Sequence, residues 1–329
     1  MKTTNSQLTL AQTTFTIAET SFTLPKSQTP ISKSQVTTPK PQILTQTISQ
    51  KSKNQKLLNT VGSYLFLTLL ALLFIAPIIF MIVGSLKPDN LVLAEAGTIK
   101  AFIPTEISLQ NYRDVFERVN FGRFFLNSAF TTAVIVVAGL AVNSLAGYAF
   151  ARLRWRGRDL LLMVVLALMI IPFEAIAVPL FFQMAMIGWR NTYIVQILPF
   201  IANAFSIYLF YTFFIGLPKE LEEAARVDGA STIRIFWEII VPVSKSVFAS
   251  VAILNFLAQW GSFLWPLMVT IDETVRPLPV AITSFQALPP LQWGDIMAFG
   301  VMMVAPILII FLLFQKWFVQ GVAATGTKG

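Results

Sequence analysis

The sequence contains neither cysteine nor histidine among its 329 residues. These absences exclude disulfides, thiol nucleophiles, imidazole acid–base chemistry and the usual ligands of zinc and haem. Charged residues make up only 12% of the chain and apolar residues 55%, whereas about a quarter of a typical soluble domain is charged. The composition therefore indicates a membrane protein, and we predict no catalytic residue and no metal site.

Residues 1–57 differ in composition from the rest of the chain. They are rich in Thr, Ser and Gln, and with seven lysines and the single acid Glu19 they carry +6 of the formal net charge of +8. Such a segment buries too little apolar surface to offset its chain entropy, which predicts a disordered tail. A transit peptide is the alternative, but those peptides favour arginine and the tail has none. We therefore divide the chain into a tail, 1–57, and a membrane domain, 58–329.

The membrane domain contains six apolar stretches that are long enough to cross a bilayer as helices. This pattern predicts an all-α, polytopic membrane fold. The third stretch contains Pro172 and Pro179, so we expect that span to be kinked or locally unwound. The predicted spans are approximately 60–84, 127–151, 159–181, 193–216, 246–270 and 297–319.

Basic residues beside the spans predict the orientation of the chain. Four arginines lie within 152–158, after the second span, and three lysines precede the first span. Because basic loops stay in the cytoplasm, both segments and both termini are expected there. Segment 86–125 then faces outward. Within it, Ser108 is a candidate N-cap for a short amphipathic helix on the membrane surface or on the bundle, with apolar residues Tyr112, Val115, Phe116 and Val119.

The loop between the fourth and fifth spans, residues 217–245, is much longer than two neighbouring helices need. Pro218 suits a helix start, Gly229 a helix end and Ser231 the cap of a second helix, while Pro242 marks the return to the membrane. The second helix is expected to present one apolar face, made of Ile233, Phe236, Trp237 and Ile240. From spacing alone, a helix–turn–helix that binds a partner and an interfacial helix without a partner remain open.

The run Glu223-Ala224-Ala225-Arg226-Val227-Asp228-Gly229-Ala230, with Pro242 thirteen residues after Gly229, resembles the EAA loop of binding-protein-dependent ABC importer permeases. The sugar-importer branch, which includes the maltose and glycerol-3-phosphate permeases, is the most similar. The resemblance spans residues 60–329 and leaves out the tail. Further matching segments are 85–88, 127–128, 148–153 and 321–329.

The resemblance implies the type I ABC importer permease fold, in the bacterial inner membrane. It implies that loop 217–245, which we call the coupling loop for this implied role, docks on a cytoplasmic ATPase, and that closure of two ATPase subunits drives alternating access. It also implies a second permease subunit and an extracytoplasmic binding protein that delivers a sugar, a polyol or a glycoside. The chain has no Gly-x-x-x-x-Gly-Lys phosphate loop, so ATP-Mg would be used by the partners and no cofactor is expected here. The coupling residues that it implies are Glu223, Ala224, Ala225, Asp228, Gly229, Ala230 and Pro242.

Polar residues inside spans are costly and usually face the bundle interior or a cavity. They are therefore candidates for the solute pathway, but for Asn255, Gln259 and Trp260 we favour contacts between helices over contact with solute. For Glu174, between two prolines, we favour a structural role. The sequence Trp260-Gly261-Ser262 lacks two polar side chains that many relatives carry after this tryptophan, which puts their contribution to packing or solute contact in doubt. The candidates are Asn127, Glu174, Asn203, Asn255, Gln259 and Trp260.

Two other classes of function compete with an importer subunit. A six-span secondary transporter or channel acting as a homo-oligomer would be supported by internal repeats, and we find no convincing repeat. It would also leave the coupling loop unexplained. A membrane-embedded enzyme would need an acidic site, and no pair of intramembrane carboxylates is present in the sequence.

Overall fold

Helices are expected to dominate this chain, because a bilayer offers no water to satisfy backbone groups and a helix satisfies them internally. The computed structural model describes the backbone of residues 42–326 and the side chains of residues 59–315. Between residues 42 and 326 the chain is helical, with no strand, as predicted. The helices are α1 Gln42–Ser85, α2 Asp89–Ala94, a 3-10 turn Ile99–Phe102, α3 Gln110–Arg118, α4 Phe121–Arg152, α5 Arg158–Leu168, α6 Phe173–Met186, α7 Tyr193–Ile201, α8 Ala204–Ile215, α9 Glu220–Val227, α10 Thr232–Ile235, a π-helical turn Phe236–Ile240, α11 Val241–Val243, α12 Lys245–Trp260, α13 Leu264–Val269, α14 Leu278–Gln286 and α15 Trp293–Gly326.

Within the described residues, four segments are long and apolar enough to cross a membrane, and two sharply bent helix pairs raise the number to six if each pair is one span. The four segments are Asn59–Ser85, Phe121–Arg152, Tyr193–Ile215 and Trp293–Gln315, and they match the first, second, fourth and sixth predicted spans. Residues 1–41 of the predicted tail lie outside the described residues. The rest of the predicted tail, 42–57, belongs to helix α1, which begins at Gln42.

The third and fifth predicted spans are the two that bend. Helices α5 and α6 meet at 101° across a break that ends at Pro172, which agrees with the predicted interruption. The fifth span differs more from its prediction. Its helix α12 ends at Trp260 rather than at 270, a separate short helix follows from Leu264, and α12 forms an angle of 81° with the preceding segment Thr232–Val243.

A break also divides the fourth span into α7 and α8. Pro199 removes one backbone donor, and Asn203 caps α8 by accepting a hydrogen bond from the backbone N–H of Ser206 at 2.8 Å. The amide of Asn143, fully buried on α4, donates to the carbonyl of Ile201 at 3.0 Å and accepts from the N–H of Asn203 at 2.9 Å. One α4 side chain therefore satisfies the backbone that the break exposes.

Packing in the part of the chain from Leu67 onward centres on three clusters of buried side chains. The first joins α3, α14 and α15 to the start of α4 and the end of α12. The second joins the ends of α4 and α8 to α9, α10 and the start of α12. The third joins α6, α7 and α13. The second cluster therefore includes buried side chains of the coupling loop itself and packs them on the ends of α4 and α8.

Segment 86–120 packs on the bundle rather than extending away from it. Its helix α3 buries Val115 completely against the first cluster, while Phe116 stays 56% exposed. Arg118, at the end of α3, forms an ion pair of 2.7 Å with the fully buried Asp295 of α15. The predicted amphipathic helix is thus present, and Ser108 accepts a hydrogen bond from the N–H of Gln110 at 3.1 Å at its start.

Candidate functional site

The coupling loop folds as a short helix, a tight turn and a second helical segment. The first helix, Glu220–Val227, ends in two backbone hydrogen bonds, one nested inside the other. Ala230 N–H donates to Ala225 O at 2.9 Å, and Gly229 N–H donates to Arg226 O at 3.0 Å. This pattern requires a left-handed residue after the helix cap, and Gly229 has φ = +79°. The sequence prediction of a helix end at Gly229 is confirmed. The first turn holds three acids that complement its positive end: Glu220, Glu222 and Glu223.

The second segment starts as predicted but buries a different face. Ser231 caps α10 by accepting from the N–H of Arg234. The predicted apolar face is wrong in part, because Ile233 is 70% exposed and Trp237 is 52% exposed. The π-helical turn that follows bonds each residue to the fifth one along rather than the fourth, which shifts the buried face. The residues that pack on the second cluster are Ile235, Phe236 and Ile240.

The predicted coupling residues divide into an exposed set and a supporting set. Glu223, Ala224, Asp228 and Gly229 are exposed, and no atom lies within 4 Å of where a Cβ on Gly229 would stand. The exposed set thus forms an open, partly acidic surface next to three exposed apolar side chains. Ala225 and Ala230 pack on the second cluster, and the exposed Pro242 lies just before the 81° bend. The neighbouring apolar side chains are Val227, Ile233 and Trp237.

A buried polar network connects this loop to helix α4. Arg152 Nε lies 3.1 Å from Glu222 Oε1, and their side chains are 4% and 8% exposed. Arg152 Nη2 also donates to the carbonyl of Leu217 at 2.5 Å, and Tyr148 OH donates to Glu222 Oε2 at 3.2 Å. The second carboxylate oxygen is 4.0 Å from the half-exposed Arg226. Glu222 is therefore fixed between two groups of α4 and holds α9 against the end of that helix.

Both polar atoms of the amide of Asn127, a candidate pathway residue, form hydrogen bonds to other groups of the protein. Its side chain is 2% exposed. Its Nδ2 donates to the carbonyls of Arg276 at 2.9 Å and Thr274 at 3.2 Å, and its Oδ1 accepts from Tyr193 OH at 2.6 Å. Asn127 thus fastens loop 270–277 to the opposite end of α4 from Arg152.

The same loop contains an acid whose ionised form is stabilised by local donors. The Thr274 hydroxyl and backbone N–H donate to Asp272, and Asn191 donates to it at 2.7 Å. These hydrogen bonds lower the pKa of Asp272 below its usual range. Loop 270–277 is therefore held by side chains of two other segments, Asn127 on α4 and Asn191 just before α7.

Asn203 and Asn255 meet at the break in the fourth span. Ser206 Oγ lies 3.0 Å from Asn203 Oδ1 and 3.2 Å from Asn255 Oδ1. Both Asn203 and Ser206 also take part in capping α8. The structure therefore brings these two candidates together, in contacts that hold helices to each other.

Gln259 and Trp260 point into different environments although they are adjacent. Trp260 is 3% exposed, belongs to the first cluster and donates from Nε1 to Met303 O at 2.9 Å. Gln259 lines a narrow cavity with about 20 Å³ of water-accessible volume, together with Gln196 and Trp265. That volume admits about one water molecule. Glu174 is exposed in the first turn of α6 and does not line this cavity.

Residues 139–324 match the family described as "binding-protein-dependent transport system inner membrane component". The match includes the whole coupling loop and more than half of the chain. The chain belongs to this family. It is a component of an inner membrane, and membership favours an importer subunit over the alternatives of a homo-oligomeric transporter, a channel or an enzyme.

Two curated relatives extend the similarity over most of this permease. The arabinooligosaccharides transport system permease protein AraQ of Halalkalibacterium halodurans is 33% identical over 261 residues, which cover 79% of this chain and 93% of that protein. The trehalose/maltose transport system permease protein MalG of Thermococcus litoralis is 34% identical over 266 residues, covering 79% of this chain and 94% of that protein.

A solved structure supports the fold as well. The crystal structure of a bacterial ABC transporter involved in the import of the acidic polysaccharide alginate contains a chain that superposes on the permease with a TM-score of 0.72. The two chains are 25% identical, and the superposition covers 80% of this chain and 98% of the other. The predicted fold class, an ABC importer permease, is confirmed.

Sequence reasoning missed two residues that position the site. Glu222 stands beside the motif, but nothing in the spacing distinguishes it from the exposed Glu220 and Glu223. Asn143 lies in the middle of the second span, and the rule that singled out Asn203 applies to it equally. Asn143 and Asn203 together therefore mark the break in the fourth span, whose exposed backbone groups they bind.

Proposed function

We propose that this chain is a membrane-spanning subunit of an ATP-driven importer that carries a sugar, or a related polyol or glycoside, into the cytoplasm by alternating access. Family membership supports the transport role, and the names of the two relatives support a carbohydrate cargo. A membrane bundle of this kind has two arrangements, and ligands elsewhere shift the balance between them.

The coupling loop is the proposed contact with a separate ATPase. The observation that carries this proposal is the contrast between its two sides. Glu223, Ala224 and Asp228 face solvent beside small and apolar neighbours, while Glu222 and Ala225 anchor the same helix to the bundle. A surface that is open yet rigidly supported suits a partner that must push on the helix.

The complete importer would contain further subunits. We propose a second permease to form a heterodimer, two ATP-binding subunits that use ATP-Mg, and an extracytoplasmic solute-binding protein. This chain itself would bind no cofactor. The coupling loop and both termini would then lie in the cytoplasm, as the arginine-rich segment 152–158 suggests.

We propose fewer solute-contacting residues than the sequence alone suggested. Gln259 is the candidate that lines a cavity, so we propose it as the residue nearest the solute. Asn127, Asn203, Asn255 and Trp260 would support the pathway by holding its helices, through the hydrogen bonds described above.

Co-purification with a charge-reversal variant tests the coupling assignment. The full chain, tagged and expressed with its transport partners, is expected to co-purify with an ATP-binding subunit and to support ATP-driven uptake in proteoliposomes. Glu223→Lys should reduce both by at least tenfold. Glu106→Lys is the matched control, because Glu106 is also exposed but lies in the segment predicted to face outward.

Two outcomes would contradict the assignment. Equal losses in the two variants would show a general effect of charge on assembly. Normal ATPase recovery and uptake with Glu223→Lys would show that the ATPase binds elsewhere.

A further inference from the structure

The connection between α4 and α5 forms a basic cleft that the proposed transport mechanism does not use. Helix α4 ends at Arg152 and α5 begins at Arg158. Between them, a cleft of about 350 Å³ opens to solvent. It is lined by Arg154, Trp155, Gly157, Arg158, Asp159 and Leu160.

The cleft carries one uncompensated positive charge. Arg158 Nη2 pairs with Asp159 Oδ1 at 2.8 Å, so these two charges offset each other. Arg154 is exposed and has no hydrogen-bond or ion-pair partner among the side chains described, 59–315. Arg156 is exposed in the same connection but does not line the cleft. A ligand with a single negative charge therefore matches the cleft, and a guanidinium binds phosphate oxygens well.

Apolar groups continue directly from the charged end of the cleft. The Trp155 ring is 40% exposed and lies 5.8 Å from the ring of Phe150. Helix α5 has no buried residue, and Leu160 and Leu161 at its start are 65% and 47% exposed. A ligand in the cleft would thus meet a cation at one end and aliphatic side chains at the other.

The position of the cleft matches a membrane surface. Helix α4 is one of the four segments that are long and apolar enough to cross a membrane, and the cleft begins two residues after it ends. Tryptophan is enriched at the level of lipid headgroups, and basic residues there attract anionic lipids. Basic residues near spans also set topology, but that effect needs only charge. A shaped cleft joined to an apolar helix is not explained by it.

We propose that this cleft binds the phosphodiester headgroup of an anionic phospholipid. Arg154 would contact the phosphate, Arg158 would add a second donor, and Trp155 would lie at the headgroup level. The acyl chains would run along Leu160 and Leu161. Free phosphate shares the anionic chemistry but would leave these exposed apolar side chains unused, so a lipid is the occupant that fits both ends.

Lipid binding by the purified full chain tests this proposal independently of any ATPase. The detergent-purified chain would be titrated with dioleoylphosphatidylglycerol or dioleoylphosphatidylcholine, and bound lipid counted by native mass spectrometry. Phosphatidylglycerol is expected to bind at least tenfold more tightly. Arg154→Gln should weaken it by roughly fivefold, which corresponds to about 1 kcal/mol for one basic residue at a membrane surface.

Arg156→Gln is the matched control, because it removes the same charge from the same connection without touching the cleft. Its affinity for phosphatidylglycerol should stay within twofold of wild type. An equal loss in Arg154→Gln and Arg156→Gln would overturn the proposal in favour of general surface charge. Equal binding of the two lipids would overturn it as well.

Two further arms complete the test. Millimolar inorganic phosphate should not displace phosphatidylglycerol, and displacement would identify a soluble phosphate as the ligand. If Arg154→Gln does not elute as a monodisperse peak, Arg158→Gln takes its place. It should weaken phosphatidylglycerol binding by a smaller factor because of its pairing with Asp159, and wild-type affinity in that variant would count against the site.

Discussion

Arg152 and Glu222 form a buried ion pair between the end of a membrane helix and the first turn of the coupling loop's first helix. Their charged atoms are 3.1 Å apart, and the side chains are 4% and 8% exposed. The same guanidinium holds the carbonyl of Leu217, where the loop begins. Helix α9 therefore cannot turn relative to α4 without separating two buried charges, so a force applied to α9 reaches the bundle through α4.

Removing one partner of this pair should destabilise the permease strongly. Arg152→Gln leaves the carboxylate of Glu222 buried without its main counter-charge, which typically reduces the free energy of unfolding by about 3–5 kcal/mol. The double variant Arg152→Gln with Glu222→Gln should recover much of this loss, because it leaves no buried net charge. Thermal unfolding of the detergent-purified chain, monitored by size-exclusion chromatography after heating, measures the loss in the single variant and the recovery in the double variant.

Arg226→Gln is the control for that series. Arg226 is also near Glu222, but at 4.0 Å and 54% exposed, so its removal should change the free energy of unfolding by less than about 1 kcal/mol. If Arg152→Gln were no more harmful than Arg226→Gln, the buried pair would not hold the loop to α4.

Gly229→Asp should abolish coupling while the chain still folds. Aspartate tolerates left-handed backbone better than most residues, and open space surrounds the position, so the expected fault is the added side chain and charge on the surface proposed to contact the ATPase. ATP-driven uptake in proteoliposomes with the partner subunits should fall at least tenfold. Gly188→Asp is the matched control, because Gly188 has φ = +74° and equally open surroundings. Wild-type uptake with Gly229→Asp would contradict the role of this loop.

Local features of this fold were predictable because short-range chemistry determines them. A glycine after an acidic, alanine-rich run predicts a left-handed helix end, and Gly229 adopts one. Pro172 predicts a broken span, and α6 starts directly after it. Ser231 precedes a helical run and caps it. In each case the residues that decide the structure lie within a few positions of it.

Features that depend on distant residues were not predictable. Glu222 is buried because Arg152, seventy positions earlier, reaches it, and the local sequence contains three similar acids. Ile233 was expected on the buried face, yet a π-helical turn further along shifts that face. The hydrophobic pattern gives a helical period of 3.6 and carries no signal for one widened turn.

A close helix contact at Gly147 gives a prediction about stability. A Cβ at this position on α4 would stand 2.6 Å from the Phe210 Cβ and 3.0 Å from the Tyr211 backbone nitrogen on α8. Gly147→Ala should therefore push the two helices apart, and overpacking of this kind reduces the free energy of unfolding by about 1–3 kcal/mol. Thermal unfolding in detergent measures the loss.

Gly122→Ala, on the same helix, is the control for this contact. Nothing lies within 4 Å of a Cβ there, so alanine's higher helix propensity should leave stability unchanged or slightly raised. Equal melting temperatures for Gly147→Ala and Gly122→Ala would show that α4 and α8 do not depend on the glycine.

The segment after α1 should lose order in acid because of one ion pair. Lys87 is almost fully buried, and its ammonium group lies 2.7 Å from Glu95 Oε2. The hydrogen bond from Lys87 lowers the pKa of Glu95 from its ordinary value of 4.5. A lowered pKa in the folded state stabilises the fold above pH 4.5, and that contribution is lost as the pH falls through the folded value.

Hydrogen exchange of residues 86–108 in the detergent-purified chain, corrected for intrinsic rates, tests this dependence. Protection should fall between pH 5 and pH 3 in the wild type, because protonated Glu95 leaves a buried ammonium without its counter-charge. Glu95→Gln should show low protection at both pH values, since it lacks the charge throughout. Glu106→Gln, which alters an exposed acid of the same segment, should retain the wild-type response. Acid sensitivity that persists in Glu95→Gln would assign the effect to another group.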